Sequence, residues 1–85
     1  MPQAEAKLPS QLTAFDKLYA LPVTKLKEGR ALLLDRFDEE VNTWAYCVEN
    51  NDQEGTLAHW RAALVISEHL KTVTWIIGIK TYTGD

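Results

Sequence analysis

Two long stretches of the chain repeat their apolar residues with the period of an α-helix. Residues 26–48 and residues 57–77 both place apolar side chains in steps of three, four and seven. Residues 50–55 separate the two stretches with asparagine, aspartate and glycine, which favour turns. Two long helices joined by a short polar turn predict an antiparallel helical hairpin.

The hairpin can be given a register. If the turn is centred on Asp52, residues that face each other have numbers adding up to about 104. Gly29 then faces Trp75, so a small residue leaves room for a large one. Further facing pairs are apolar, and their side chains are expected to be buried between the helices: Trp44 with Trp60, Val41 with Ala63, Leu34 with Leu70, and Leu26 with Ile77. Arg30 does not fit this register, since it faces Val73 and Thr74, and its side chain is expected to extend outward.

The chain before the hairpin predicts an arm and a short helix. Residues 1–9 contain two prolines and few large apolar side chains, as is typical of a flexible arm. Ser10 can cap a helix that runs to about residue 20, and Pro22 would end it. Thr24 would then cap the first long helix. The predicted organisation is therefore a flexible arm, 1–9, followed by one all-α domain, 10–85.

A competing fold comes from the residue types near the C-terminus. Residues 72–82 are dense in β-branched and aromatic side chains, which favour strands. A strand there would need a partner, and residues 30–37 are the credible one. The alternative to the all-α hairpin is therefore an α+β fold with strands near 30–37 and 72–82.

The second long helix has a further stripe of small and apolar residues, which favours self-association. Its spacing alternates between four and three, so this helix is apolar on two sides. A short N-terminal helix can cover only part of that second side. A homodimer or higher oligomer in the form of a helical bundle is therefore expected. The residues expected to make the contact are Ala62, Val65, His69, Ile76 and Ile79.

Composition argues against an enzyme. The chain has 85 residues, enough for one domain, with one cysteine and two histidines. Cys47 has no partner for a disulfide, and these three side chains cannot form the usual four-ligand zinc site. His59 and His69 lack the spacing of a zinc-binding pair on one helix face. No catalytic residue, metal or cofactor is therefore predicted, and Cys47 with His59 is the weak enzymatic alternative.

Charge is unevenly distributed and suggests a protein partner. The net charge is −3, and residues 31–55 hold seven carboxylates against the single Arg36. An acidic helix can dock a basic protein, although such a face is also common where it is merely solvated. The prediction is a non-enzymatic interaction module, an adaptor, inhibitor or assembly subunit, of unidentified protein partner. The partner-binding residues are predicted to be Asp38, Glu39, Tyr46, Trp75 and Tyr82.

Nucleic acid is an unfavoured partner. The chain is acidic overall, and only Lys25, Lys27 and Arg30 cluster. A small DNA-associated regulator that uses this basic end of the hairpin is the alternative function. Short acidic chains of this kind also include accessory and structural proteins of phages or plasmids.

No membrane span is expected from the sequence. The most apolar run, residues 73–79, is much shorter than the roughly 20 residues that cross a bilayer. The polar N-terminal residues do not have the apolar core of a signal peptide. A single cysteine is compatible with a reducing compartment, so a cytoplasmic location is predicted.

Overall fold

The protein is an all-α helical hairpin with a short N-terminal helix. The computed structural model describes residues 13–84, which form α1 (Ala14–Tyr19), α2 (Val23–Glu49) and α3 (Gln53–Thr83). Helices account for 89% of these residues, and none of them is in a strand. The predicted all-α hairpin is confirmed, and the α+β alternative is wrong. The arm predicted for residues 1–9 lies outside the described residues.

Burial explains why residues 72–82 are helical despite their strand-favouring side chains. Val73, Ile76, Ile77 and Lys80 are buried, and they follow one another in steps of three, one and three. This spacing places all four on one side of a helix, whereas a strand would turn alternate residues to opposite faces. Tertiary packing therefore overrides the local preference of the β-branched residues.

The two early helix starts differ from the predicted ones. Thr13, not Ser10, caps α1: its hydroxyl accepts from the Asp16 amide, and the Asp16 carboxylate accepts from the Thr13 amide, both at 3.1 Å. This reciprocal pair is a capping box. Pro22, not Thr24, is the N-cap of α2, without a side-chain hydrogen bond. Its φ of −66° already suits entry into a helix.

A three-residue turn joins the two long helices. Asn50 ends α2, and its side-chain amide donates to the Tyr46 carbonyl at 2.8 Å. Asn51 follows with φ of 58°, in the left-handed region that asparagine tolerates. Asp52 then caps α3 by accepting from the Gly55 amide at 3.0 Å. The turn therefore lies where the sequence predicts it, and α3 continues through Gly78 to Thr83.

The core lies at the open end of the hairpin, opposite the turn. It is a cluster of buried residues from both long helices, supported by partly buried residues of α1 and of α2: Leu26, Val73, Ile76 and Ile77, with Leu18, Tyr19, Val23 and Leu33. Leu26 and Ile77, predicted to face each other, belong to the same cluster. The α1 helix thus completes the core at one end of the molecule only.

Two predicted features of the seam between the helices are wrong. Trp75 does not fill space beside Gly29: its ring lies 5.8 Å from that of Phe15, and a Cβ at Gly29 would meet nothing within 4 Å. Trp44 and Trp60 are not buried, since they are 37% and 51% exposed. The reason is that α2 and α3 lie side by side, and within residues 13–84 only the short α1 packs on them, at the open end of the hairpin.

Candidate interaction groove between the two long helices

An apolar groove runs along one face of the hairpin between α2 and α3. Three depressions lie along it, and all three are lined by side chains from both helices. We define the apolar groove by the residues that line these depressions most prominently: Leu34, Phe37, Val41, Trp44 and Val48 from α2, and Leu57, Trp60, Ala63, Leu64, Ser67 and Trp75 from α3.

Helix geometry explains how the sequence builds the groove. On α2 the groove positions follow one another in steps of three and four, and α3 repeats this spacing from residue 57 to residue 67. Such steps keep side chains on one side of a helix. The predicted register brings the two rows together, because Trp44 and Trp60 line the same depressions, as do Val41 and Ala63. Leu34 and Leu70 likewise share the third.

The groove is apolar but open to solvent. Its large side chains on α2 and α3 remain partly exposed, with Val41 at 37% and Leu64 at 47%. Contiguous apolar surface of this kind is typical of contact sites for proteins, ligands or membranes. The hairpin therefore presents a face that is suited to being covered.

The groove has large side chains next to small ones. Trp44 and Trp60 stand between a depression of about 380 Å³ toward the turn and one of about 260 Å³ toward the middle of the hairpin. Ala63 and Ser67 belong to the second depression, where their small side chains leave room. This relief of two indoles beside a small-residue floor can accept protruding side chains from a facing surface.

The five predicted partner-binding residues do not form one site. All five are exposed, and Trp75 also lines the open end of the apolar groove. Asp38 is a helical neighbour of the groove positions Leu34 and Val41, whereas Glu39 and Tyr46 lie seven residues apart on another side of α2. Tyr82 is 93% exposed in the last turn of α3, two turns beyond Trp75, and it lines none of the three depressions. Partner binding by these residues stays a prediction.

The predicted self-association stripe is divided by the core. Ile76 is fully buried within the chain, so it is not presented to another molecule in this structure. Ile79 and Ala62 are half-buried, whereas Val65 and His69 are exposed. Self-association through the exposed part of the stripe stays a prediction.

Sequence reasoning missed the groove because it assigned the same residues to a buried seam. The available signal was the thickness of the fold: a hairpin is one layer of helices, and a layer with apolar residues at its seam exposes them from one side or the other. The size of Trp44 and Trp60 strengthens that signal, because a side chain as large as that of tryptophan is rarely fully buried.

Cys47 is a buried thiol beside the turn. It lies against Gly55, and the Cys47 carbonyl accepts from the Asp52 amide at 2.9 Å. Burial raises the pKa of the Cys47 thiol, and the Asp52 carboxylate raises it further by its negative charge and by accepting a hydrogen bond from the thiol. A thiol held in its neutral form is a poor nucleophile, which argues against the enzymatic alternative.

His59 pairs with a carboxylate rather than with Cys47. Its Nδ1 lies 2.6 Å from Oε1 of Glu40, and Arg36 approaches the other oxygen of that carboxylate at 3.8 Å. Glu40 is thereby held between a side chain of its own helix and one of α3. Among residues 13–84, no group of three or more histidine, cysteine or acidic side chains could hold a metal ion.

The basic cluster of the alternative function lies in the first turns of α2. Lys25 pairs there with Glu28 at 3.5 Å, and both side chains are exposed. A nucleic-acid contact through Lys25, Lys27 and Arg30 stays a prediction, since no contact in the described part of the chain favours it.

The α3 helix is long and apolar enough to cross a membrane by length and composition alone. Only 22% of its most apolar 18-residue stretch is buried. The sequence argument against a span considered the short run 73–79 and the polar residues upstream of it, Glu68, His69 and Lys71. The whole of α3 is longer than that run and passes the test by length and composition. A core helix of a soluble protein passes the same test, but such a helix is mostly buried. The low burial of α3 therefore indicates apolar surface that this chain does not cover.

Comparisons of the chain with protein-family models, with curated proteins and with solved structures find no match.

Proposed function

We propose that this chain is a non-enzymatic protein–protein interaction module that acts through its helix faces, with the apolar groove as its main contact surface. The observation that carries the proposal is the exposure of large apolar side chains along both walls of one groove. Covering such side chains stabilises a complex by roughly 25 cal/mol for each Å² removed from water. Three tryptophans in the groove, Trp44, Trp60 and Trp75, supply a residue type that often dominates binding energy.

Charge beside the groove supports a protein rather than a lipid occupant. The α2 wall belongs to a helix that carries Asp35, Asp38 and Glu49 on its exposed surface. Placing these carboxylates in a bilayer would be costly, whereas the polar rim of a protein interface accommodates them. The module therefore acts by binding another protein.

Site-specific photo-crosslinking tests this proposal. A benzophenone amino acid at Leu64 would lie on the groove wall, and one at Leu32 would lie on a different exposed side of α2 as the matched control. After irradiation of the host cells, we expect protein adducts from the Leu64 position and far fewer from the Leu32 position. Equal yields at both positions, or no protein adduct at Leu64, would overturn the proposal.

A further inference from the structure

We infer that the occupant of the apolar groove is a second copy of this chain, packed with its own groove against the first in a two-fold, four-helix arrangement. The inference rests on the proposed function, since it names the partner of the same groove. It places self-association on the groove face, not on the stripe that contains Val65 and His69.

The thickness of the molecule is the first argument. The chain measures 56 × 26 × 15 Å along its principal axes. The smallest dimension exceeds the roughly 10–12 Å diameter of a single helix with its side chains by only a few ångströms. A helical domain buries its apolar faces by packing at least two layers together. The hairpin supplies one layer, and a second copy would supply the other.

The area of the groove matches what a stable dimer needs. Eight large apolar side chains of the groove are between 37% and 62% exposed. If the roughly 200 Å² of a fully exposed aromatic side chain is taken for each of them, they present on the order of 700 Å². A standard stable interface buries about 800 Å² on each partner. The groove is therefore close to the size needed to hold two copies together.

The relief of the groove complements itself. On α3, Trp60 lies three residues before Ala63, about 4.5 Å from it along the helix axis. Ser67 lies four residues after Ala63, about 6 Å away in the opposite direction. A two-fold axis that lies between the two copies, perpendicular to the helices at the level of Ala63, brings Trp60 of one copy to nearly the level of Ser67 of the other. The Trp60 indole of each copy then lies over the small side chains of the other copy, near Ser67.

Other occupants fit the groove less well. Residues 1–12 contain only Met1, Leu8 and Leu12 as large apolar side chains, and they join the fold at Thr13, on the α1 side of the molecule. A membrane would have to accept the charges of α3 itself, because Glu68 and Lys71 are exposed in its middle. Both occupants are distinguishable outcomes of the test.

A matched pair of charge substitutions tests which face of the hairpin makes the contact between the two copies. Leu64 and Val65 are neighbours on α3 with similar exposure, 47% and 56%, but only Leu64 lines the groove. Sedimentation of the full chain over a hundredfold dilution should show a dimer. Leu64→Glu should raise the dissociation constant at least about 30-fold, because it places a charge in the buried contact, whereas Val65→Glu should leave it nearly unchanged. Circular dichroism and thermal melting establish that both variants are folded.

A crosslinking experiment tests the two-fold geometry. In a Cys47→Ser background, Leu64→Cys lies one residue from the level of the axis, so the two copies of this position are about 3 Å apart along the helix direction. Leu57→Cys lies six residues away, so its two copies are about 18 Å apart along that direction. A short bismaleimide should join the Leu64→Cys protein into covalent dimers and leave the Leu57→Cys protein monomeric.

Five results would overturn the inference; the third and fourth would also overturn the proposed function, whereas the fifth would leave it standing. A monomer at every concentration excludes the second copy. Loss of the dimer in Val65→Glu, with Leu64→Glu unaffected, assigns self-association to the other face. A monomer that binds lipid vesicles through α3 assigns the apolar surface to a membrane. A monomer whose groove becomes exposed only when residues 1–12 are deleted assigns the groove to that segment. A monomer that still gives groove-specific adducts with other proteins in cells removes the dimer but keeps the interaction module.

Discussion

The ammonium group of Lys80 donates to the carbonyl oxygen of Tyr19 at 2.7 Å, joining two residues 61 positions apart in the chain. It also donates to the Leu21 carbonyl at 2.6 Å and lies 5.2 Å from the centre of the Tyr19 ring. These carbonyls belong to the end of α1 and the connection that follows it, where helix geometry leaves acceptors unsatisfied. One buried lysine of α3 therefore holds α1 against the core.

Replacing this lysine should weaken the folded state. In Lys80→Met the side chain keeps an unbranched apolar stem that is one atom shorter, but the carbonyls of Tyr19 and Leu21 lose a charged donor. We expect the free energy of unfolding in urea to fall by about 2–3 kcal/mol. Lys71→Met is the control, because Lys71 is exposed and pairs only loosely with Glu68, at 3.7 Å. An equal loss in both variants would contradict the role of Lys80.

Adding a methyl group at Gly55 should destabilise the turn. A Cβ there would lie 2.7 Å from the Cys47 sulfur and would also overlap the Asp52 carboxylate, which caps α3. We expect Gly55→Ala to lower the free energy of unfolding by about 1 kcal/mol, because the cap must shift. Gly29→Ala is the matched control: its Cβ meets nothing within 4 Å, so it should add about 0.5–1 kcal/mol by better helix propensity. A lower melting temperature for Gly55→Ala and a higher one for Gly29→Ala would support this account. A higher melting temperature for both variants would contradict it.

The raised pKa of Cys47 should make stability depend on alkaline pH. The thiol has an ordinary pKa near 9.0 when unfolded and a higher pKa when folded, so the unfolded state loses the proton first as pH rises. The stabilisation by the neutral thiol is therefore present below about pH 9 and is lost as pH rises through the folded-state pKa. We expect the stability difference between the wild-type protein and Cys47→Ala to shrink over that range in urea titrations. A constant difference up to strongly alkaline pH would contradict the assignment.

The contact between Glu40 and His59 should contribute a small coupling between the two long helices. The distance is 2.6 Å, and the side chains are 16% and 36% exposed. A double-mutant cycle with Glu40→Gln and His59→Gln should give a coupling energy of about 0.5–1 kcal/mol, because partial exposure weakens the pair. A cycle that replaces Glu40→Gln by Glu39→Gln should give no coupling energy with His59, since Glu39 pairs with Arg36. Additive effects of Glu40→Gln and His59→Gln would show that the contact has no energetic role.

Local signals in the sequence were sufficient for the turn and for the register. The apolar period defines both long helices, and Asn51 and Asp52 supply the left-handed residue and the cap that a short connection requires. The starts of α1 and α2 were not predicted correctly, because Thr13 and Pro22 compete with equally plausible caps at Ser10 and Thr24. Choosing among neighbouring caps depends on which residue pairs with Asp16 and where the chain enters the core.

The sequence by itself determined that the chain folds as a helical hairpin, because the helical period of apolar residues is a local property. Only the tertiary structure decided which apolar residues are buried. Ile76 is covered because α1 completes the core at the open end, whereas Trp60 remains half exposed because no element of the described chain reaches the other end. Burial depends on how many layers surround a residue, and the pattern of one helix does not contain that number.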